Sequence, residues 1–224
     1  MAAHAFVDDL GTPVLAPGDR HHLERVLRLR PGDELTVSDG NGGWRRCRFG
    51  PQLEPVAEVE QEARLRPLVT VAFALVKGSR PEWAVQKLTE IGVDRIVPLA
   101  AARSVVRWPA GGAQLGRLRR VAREAAVQSR RTWLPVVDDV AAFERLAAEP
   151  GAALAHPGGR PPTLDRPVVL VGPEGGWDDA ELAGGRSLVG LGPRVLRTET
   201  AAVVAGTLLC ALRAGTVSGA DSGG

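Results

Sequence analysis

A chain of 224 residues, 44% hydrophobic and 24% charged, has room for one large or two modest globular domains of ordinary composition. Its two cysteines, Cys47 and Cys210, stand far apart with no C-x-x-C pair, which argues against a disulfide framework or a metal site and makes a reducing cytoplasm the default expectation. The N-terminus lacks a secretory pattern, and the longest apolar run, 201–212, stops at Arg213, so no membrane segment is expected. The net charge of +2 conceals an uneven distribution: residues 67–133 carry 12 basic against 4 acidic side chains, while the thirds on either side are net acidic. A basic middle third is a candidate footprint for a polyanion, nucleic acid above all.

Residues 1–66 predict a small separate module. Asp19 is expected to cap a short helix with Leu23, Val26 and Leu27 on its apolar side, ended by Pro31-Gly32. Strands follow at 34–38 and 44–49 around the turn 39–43, with another at 56–59, a pattern that suggests a small β-barrel. His21 and His22 are adjacent and cannot share a helix face, so a surface or capping role is expected rather than a metal pair. Residues 64–67 read as a linker.

From 67 to 216 strands alternate with helices, which predicts a mainly parallel α/β sheet. Strands are expected at 69–76, 95–99, 134–137, 152–155, 168–171 and 187–191. Helices are expected at 81–92, with Pro at its start and Gly at its end, and at 114–131, 139–148, 178–183 and 198–214. The tail, 217–224, is small and polar and predicts disorder. On the helix at 114–131, Leu118, Val121, Ala122, Ala125 and Ser129 fall in one arc. Arg117, Arg119, Arg120, Arg123, Arg130 and Arg131 occupy the rest, either as a phosphate-facing surface or as a solvated face. The last helix is apolar around nearly its whole circumference, which predicts a core element that also meets a second subunit.

Two strand-turn-helix units organise the C-terminal part of the chain. One strand, 168–171, runs into Gly172-Pro173-Glu174-Gly175-Gly176, and a second runs into Gly192-Pro193-Arg194. Loops at the carboxyl ends of parallel strands are where open α/β sheets bind ligands, and glycine lets a ligand approach the main chain. No G-x-x-x-x-G-K-[ST] occurs, so a nucleoside triphosphate fits poorly; Gly190 and Gly192 begin a dinucleotide fingerprint that fails at Val195. Tight turns with no ligand remain the alternative reading of these glycines.

Val171-Gly172-Pro173-Glu174-Gly175-Gly176, followed by Leu191-Gly192-Pro193-Arg194-Val195-Leu196-Arg197-Thr198-Glu199-Thr200-Ala201, resembles the RsmE family. These are SPOUT-class bacterial 16S ribosomal RNA (uracil-N3)-methyltransferases. The similarity runs over nearly the whole chain, through His21-His22-Leu23, Lys77-Gly78-Ser79-Arg80, Gln86-Lys87-Leu88-Thr89-Glu90, Arg103-Ser104-Val105-Val106-Arg107 and Glu124-Ala125-Ala126-Val127-Gln128-Ser129. Ala102, the residues at 4–7 and Trp177 depart from the family pattern.

The resemblance implies a PUA-like RNA-binding β-barrel at 1–66 and a trefoil-knotted SPOUT domain at 67–216, against the general rule that chains are unknotted. It implies S-adenosylmethionine as cofactor, a homodimer, and 16S rRNA of the small ribosomal subunit as partner, with no metal. The cofactor loops would be Leu154, Ala155 and His156; Val171, Gly172 and Gly176; and Leu191, Gly192, Val195, Leu196 and Thr200. Uridine N3 must lose its proton to become a nucleophile, so Arg197 is the candidate for stabilising negative charge and Glu199 for the base. A carboxylate offsetting the helix dipole is the other reading of Glu199. Candidate RNA contacts are Arg28, Lys77, Arg80, Arg103, Arg107, Arg120, Arg123 and Arg130. With no tyrosine in the chain, recognition is expected to rest on shape and charge. A SPOUT tRNA ribose 2'-O-methyltransferase and a non-catalytic RNA-binding assembly factor are the rivals. The PUA-like module and the string Leu196 to Thr200 argue against the first, and the intact cofactor glycines against the second.

Overall fold

The computed structural model describes residues 3–108 and 112–218. It divides into two compact units, one of Met1–Arg64 with Arg123–Leu134 and one of Leu65–Ala122 with Pro135–Gly224.

The first unit is built on a five-stranded sheet of β1 (Ala3–Phe6), β2 (Glu34–Ser38), β3 (Gly43–Arg48), β4 (Glu54–Pro55) and β5 (Glu60–Gln61). The β2–β3 hairpin forms where expected, because Asp39 Oδ1 accepts from the amides of Asn41 and Gly43, and Gly40 and Gly42 take the positive φ values of 76° and 91° that the turn requires. Leu35, Val37 and Cys47 alternate onto the buried face beside Leu23 of helix α1 (Pro17–Arg25). Strand β1, parallel to β2 in register Ala3↔Leu35, is an element that the sequence did not declare. Its His4 is buried and donates to or accepts from Thr36 Oγ1 through Nδ1 at 2.8 Å, and burial pushes its pKa down to about 4.

Three expectations fail in this unit. Asp19 does not cap α1: Ala16 is the N-cap, with proline in the first helical positions, and the Asp19 carboxylate instead binds Arg123 at 2.8 Å. The helix ends at Arg25, so Val26 and Leu27 are 62% and 47% exposed rather than on its packed side. Residues 56–59 form the loop between β4 and β5, with the Ala57 carbonyl accepting from Arg45, because β3 pairs with the flanking residues instead.

The second unit holds a seven-stranded, all-parallel sheet. Its strands are β6 (Thr70–Ala74), β7 (Arg95–Ala100), β8 (Val136–Val137), β9 (Ala141–Ala142), β10 (Ala152–Arg160), β11 (Val168–Val171) and β12 (Leu188–Val189). They run in the order β12-β10-β11-β6-β7-β8, with β9 also on β7. Strands β6 and β11 are apolar on both faces because both are covered. Val71, Phe73, Val169 and Val171 pack against helices α2 (Arg80–Glu90), α3 (Ala113–Ser129) and α6 (Thr198–Arg213). Ala72, Leu170 and Leu154 pack with Phe143 and Leu146 of α4 (Phe143–Ala147) and with Trp177.

Residues 139–148 are not one helix: Ala141 and Ala142 pair with Leu99 and Ala100, and this non-local ladder overrides local helical preference before α4 begins. On α3 the expected apolar arc is buried at Leu118, Ala122 and Ala125. Of its arginines, Arg117 pairs with Glu82 at 3.2 Å and Arg119 with Asp139 at 2.8 Å, so part of the basic face is already neutralised. Within the tail, residues 219–224 lie outside the described residues.

Strand β10 continues well past the predicted 152–155 and bends around β12. Val189 pairs with Ala155 and again with Arg160, and the Gly190 amide donates to the Arg160 carbonyl at 2.8 Å. A Cβ on Gly159 would overlap the main chain of Val189 and Gly190, so only glycine permits the approach. Two stretches of one segment, at Ala155 and at Arg160, therefore both pair with Val189. Among the described residues no helix is long and apolar enough to cross a membrane.

Candidate functional site

Two loops leave the carboxyl ends of β11 and β12 side by side, next to the stretch of β10 at Ala155, His156 and Pro157. The loop after β11 is braced from several directions. Gly176 turns it with φ 72°, its amide donating to the Pro173 carbonyl at 2.8 Å. Trp177 folds back over Gly172, where a Cβ would sit 3.0 Å from the indole, and donates Nε1–H to the Ala155 carbonyl at 2.9 Å. Asp178 then caps α5 (Asp179–Leu182) in a capping box with Glu181, whose other oxygen accepts from the Ala102 amide at 2.8 Å. Thr198, in the first turn of α6, donates its hydroxyl to the Gly172 carbonyl at 3.0 Å. The loop after β12 turns at Gly192, φ 125°.

Together these loops enclose a cavity of about 340 Å³. Ala155, Val171, Leu182, Leu191 and Leu196 give it apolar walls, while Glu174, Arg194 and Thr198 supply polar groups. Size and lining suit a small molecule with a flat apolar part and a few charges. At Gly176 and Gly192 a Cβ would meet nothing within 4 Å, so both glycines leave room open at the wall that a side chain would occupy.

A second hollow, about 240 Å³, shares Pro173 and Glu174 with the first and is lined by Lys77, Arg80 and Arg103. Arg80 Nη1 reaches Glu174 Oε1 at 3.1 Å, and its Nε lies 3.7 Å from Glu199 Oε1. Arg103 pairs with Asp178 at 3.3 Å and donates to the Gly175 carbonyl.

Nine of the eleven predicted cofactor residues line the first cavity: Ala155, His156, Val171, Gly172, Gly176, Leu191, Gly192, Val195 and Leu196. Leu154 is buried in the sheet core on the α4 side, and Thr200 lies on α6 away from the wall. Arg197 is the exposed N-cap of α6, between two wall residues. Glu199 is 7% exposed, its Oε2 without a hydrogen-bond partner, and it lines neither hollow. Of the candidate RNA contacts, Lys77, Arg80 and Arg103 meet at the second hollow, and Arg107 lines a neighbouring cavity. Arg123 is held by Asp19 and stacks over Phe6, and Arg28, Arg120 and Arg130 are exposed. Sequence reasoning did not assign Leu182, Arg194, Thr198 or Ala201 to the cavity. Arg194 and Thr198 sat inside the quoted motif, but nothing local marked Leu182.

The profile of the RNA methyltransferase domain family matches residues 63–210, and that of the RNA methyltransferase PUA domain matches residues 15–50. The chain belongs to the RNA methyltransferase family. It is 36% identical to ribosomal RNA small subunit methyltransferase E of Mycobacterium bovis, over 88% of this chain and 86% of that one. Its counterpart of the same name in Synechocystis is 37% identical, over 87% and 71%. A crystal structure of ribosomal RNA small subunit methyltransferase E from Neisseria gonorrhoeae, bound to S-adenosyl methionine, superposes with TM-score 0.76 at 26% identity, over 96% of this chain and 98% of that one. The first cavity and the cationic hollow adjoin at Pro173 and Glu174, within the part of the chain that the methyltransferase profile matches.

Proposed function

We propose that this chain methylates N3 of a uridine in the 16S RNA of the small ribosomal subunit, using S-adenosylmethionine and working as a cytoplasmic homodimer. The observation that carries the reading is the cavity that the two glycine loops and β10 form in the second unit, found in a member of the RNA methyltransferase family. When bound, S-adenosylmethionine supplies a methyl group made electrophilic by its sulfonium sulfur.

The chain's own groups are suited to holding that donor. Val171, Leu191 and Leu196 offer apolar surface to a purine, Arg194 a cation for a carboxylate, and Glu174 an anion for a sulfonium. The glycine turns leave main-chain amides and carbonyls at the wall. In this reading Leu154 supports Ala155 from beneath. Thr200 belongs to the dimer face: on α6 Thr200, Val203, Val204, Leu208 and Ala211 stay only half-buried, an apolar stripe suited to a second copy. Arg197, exposed between the wall residues Leu196 and Thr198, is open to incoming RNA. Glu199 is buried against Arg80, so it acts through that guanidinium rather than as a base in contact with substrate. The exposed Arg28, Arg107, Arg120 and Arg130 are the groups available to RNA phosphates; Lys77 is exposed in the hollow beside the donor cavity, and Arg80, Arg103 and Arg123 are already engaged within the chain.

The test is methyl transfer from labelled donor to 30S subunits of a strain lacking the enzyme, followed by nucleoside analysis. Label in 3-methyluridine is expected. Label in ribose, or none, overturns the reading.

A further inference from the structure

A methyl acceptor has to lie within bonding reach of the donor, so the acceptor's space must adjoin the donor's. The cationic hollow meets that condition, because Pro173 and Glu174 belong to its wall and to the wall of the donor cavity alike. The neighbouring cavity that contains Arg107 shares no residue with the donor cavity. Leu75, Val76, Val105 and Val106 give the hollow an apolar lining, and Lys77, Arg80 and Arg103 outnumber its single carboxylate, Glu174.

The three cations are not equivalent. Arg80 is held by Glu174 and Glu199, and Arg103 by Asp178 and the Gly175 carbonyl. Lys77, exposed just beyond β6, carries no ion pair among the described residues. Two guanidiniums shape the hollow, and the ammonium remains available to a charge that arrives or develops there. Apolar lining with one uncommitted cation suits a flat neutral ring that becomes an anion during reaction.

We propose that this hollow receives the acceptor base, a pyrimidine with an acidic ring N–H, and that Lys77 is a catalytic residue that stabilises the ring anion. The proposal rests on the methyl-transfer reading and adds its acceptor side. N3 gives its proton to solvent base. The N3 lone pair then forms the N–C bond as the carbon–sulfur bond breaks, and that bonding pair stays on sulfur. A nearby ammonium favours the anionic form and lowers the pKa of N3, so more of the base is reactive at neutral pH. Arg197 lines neither hollow, which leaves this role to Lys77.

The experiment measures kcat and KM against pH for the full chain, Lys77→Met and Lys77→Arg. Its substrates are reconstituted 30S subunits carrying uridine or the more acidic 5-fluorouridine. Binding of S-adenosylhomocysteine is followed separately by calorimetry. For Lys77→Met we expect kcat at neutral pH to fall about 100-fold, the scale of losing one charge-stabilising donor. KM and S-adenosylhomocysteine affinity should stay within about threefold, since only an interaction made in the transition state is lost. The deficit should shrink as pH rises and with 5-fluorouridine, and Lys77→Arg should recover much of the rate. A rise in KM with kcat intact, or a deficit indifferent to pH and to fluorine, overturns the assignment of Lys77 while leaving the methyl-transfer reading in place. A wild-type enzyme that makes no 3-methyluridine overturns both.

Discussion

The two glycine loops of the methyltransferase unit resemble each other in sequence and differ in how the protein holds them. The loop after β11 is tied down by Trp177 over Gly172, by the indole bond to Ala155, by the Asp178–Glu181 capping box and by the Thr198 hydroxyl. The loop after β12 is locked at its root, where β10 flanks Val189, but open at its tip: Arg194 is exposed and Val195 is 96% exposed while lining the cavity. One wall of the cavity is thus built in advance, and the other waits for something to cover it. A site arranged this way combines preorganisation with a route of entry.

Breaking the root should have the largest effect. Gly159→Ala puts a methyl group into the main chain of Val189 and Gly190, which has no rotamer by which to yield. We expect a loss of more than about 4 kcal/mol, enough to prevent the methyltransferase unit from folding, read by thermal melting and soluble yield. Gly116→Ala is the control: inside α3 with nothing within 4 Å of its Cβ, it should gain up to about 1 kcal/mol. Next in size is the built wall. Trp177→Ala removes a buried indole that packs on Phe143 at 5.4 Å and roofs Gly172, and should cost about 3–5 kcal/mol in denaturant unfolding. Donor affinity should fall with it, because Ala155 and Gly172 lose their common support.

Much of this contrast could be seen in the sequence, and what escaped did so for identifiable reasons. Strand β11 was legible to the residue, because Val168–Val171 is a short apolar run bounded by Pro167 and Gly172. The strand read at 187–191 shrinks to Leu188–Val189, since its length depends on how far β10 bends beside it, a non-local fact. The same limit hid which cations share a hollow with Glu174. Lys77 and Arg80 lie some hundred residues before Glu174, and only the adjacency of β6 and β11 brings them to one hollow. The arginines of α3 could be counted but not paired, because Asp19 and Asp139 come from distant segments. Local chemistry announced the loops, while sheet order decided what faces them.

The tie between the loops offers a finer probe. Thr198→Val keeps the volume but leaves the Gly172 carbonyl without its donor, and should cost about 1 kcal/mol of stability. A weaker hold on the donor should accompany it, measured by calorimetry.

Val195→Ser sharpens the comparison most, because its expected effect on folding is the smallest. A side chain 96% exposed contributes almost no burial to the free chain, so unfolding should shift by no more than about 0.5 kcal/mol. Its place on the cavity wall means that apolar surface lost there is felt only when donor or a second copy covers the loop tip. Removing that contact should therefore weaken donor binding or dimerisation while the melting curve of the dilute, donor-free chain stays in place. The two readouts separate because burial stabilises only the state in which it occurs. A clear drop in the melting temperature of the donor-free chain would mean that the second loop is braced as firmly as the first, and the distinction between a built wall and an open one would fail.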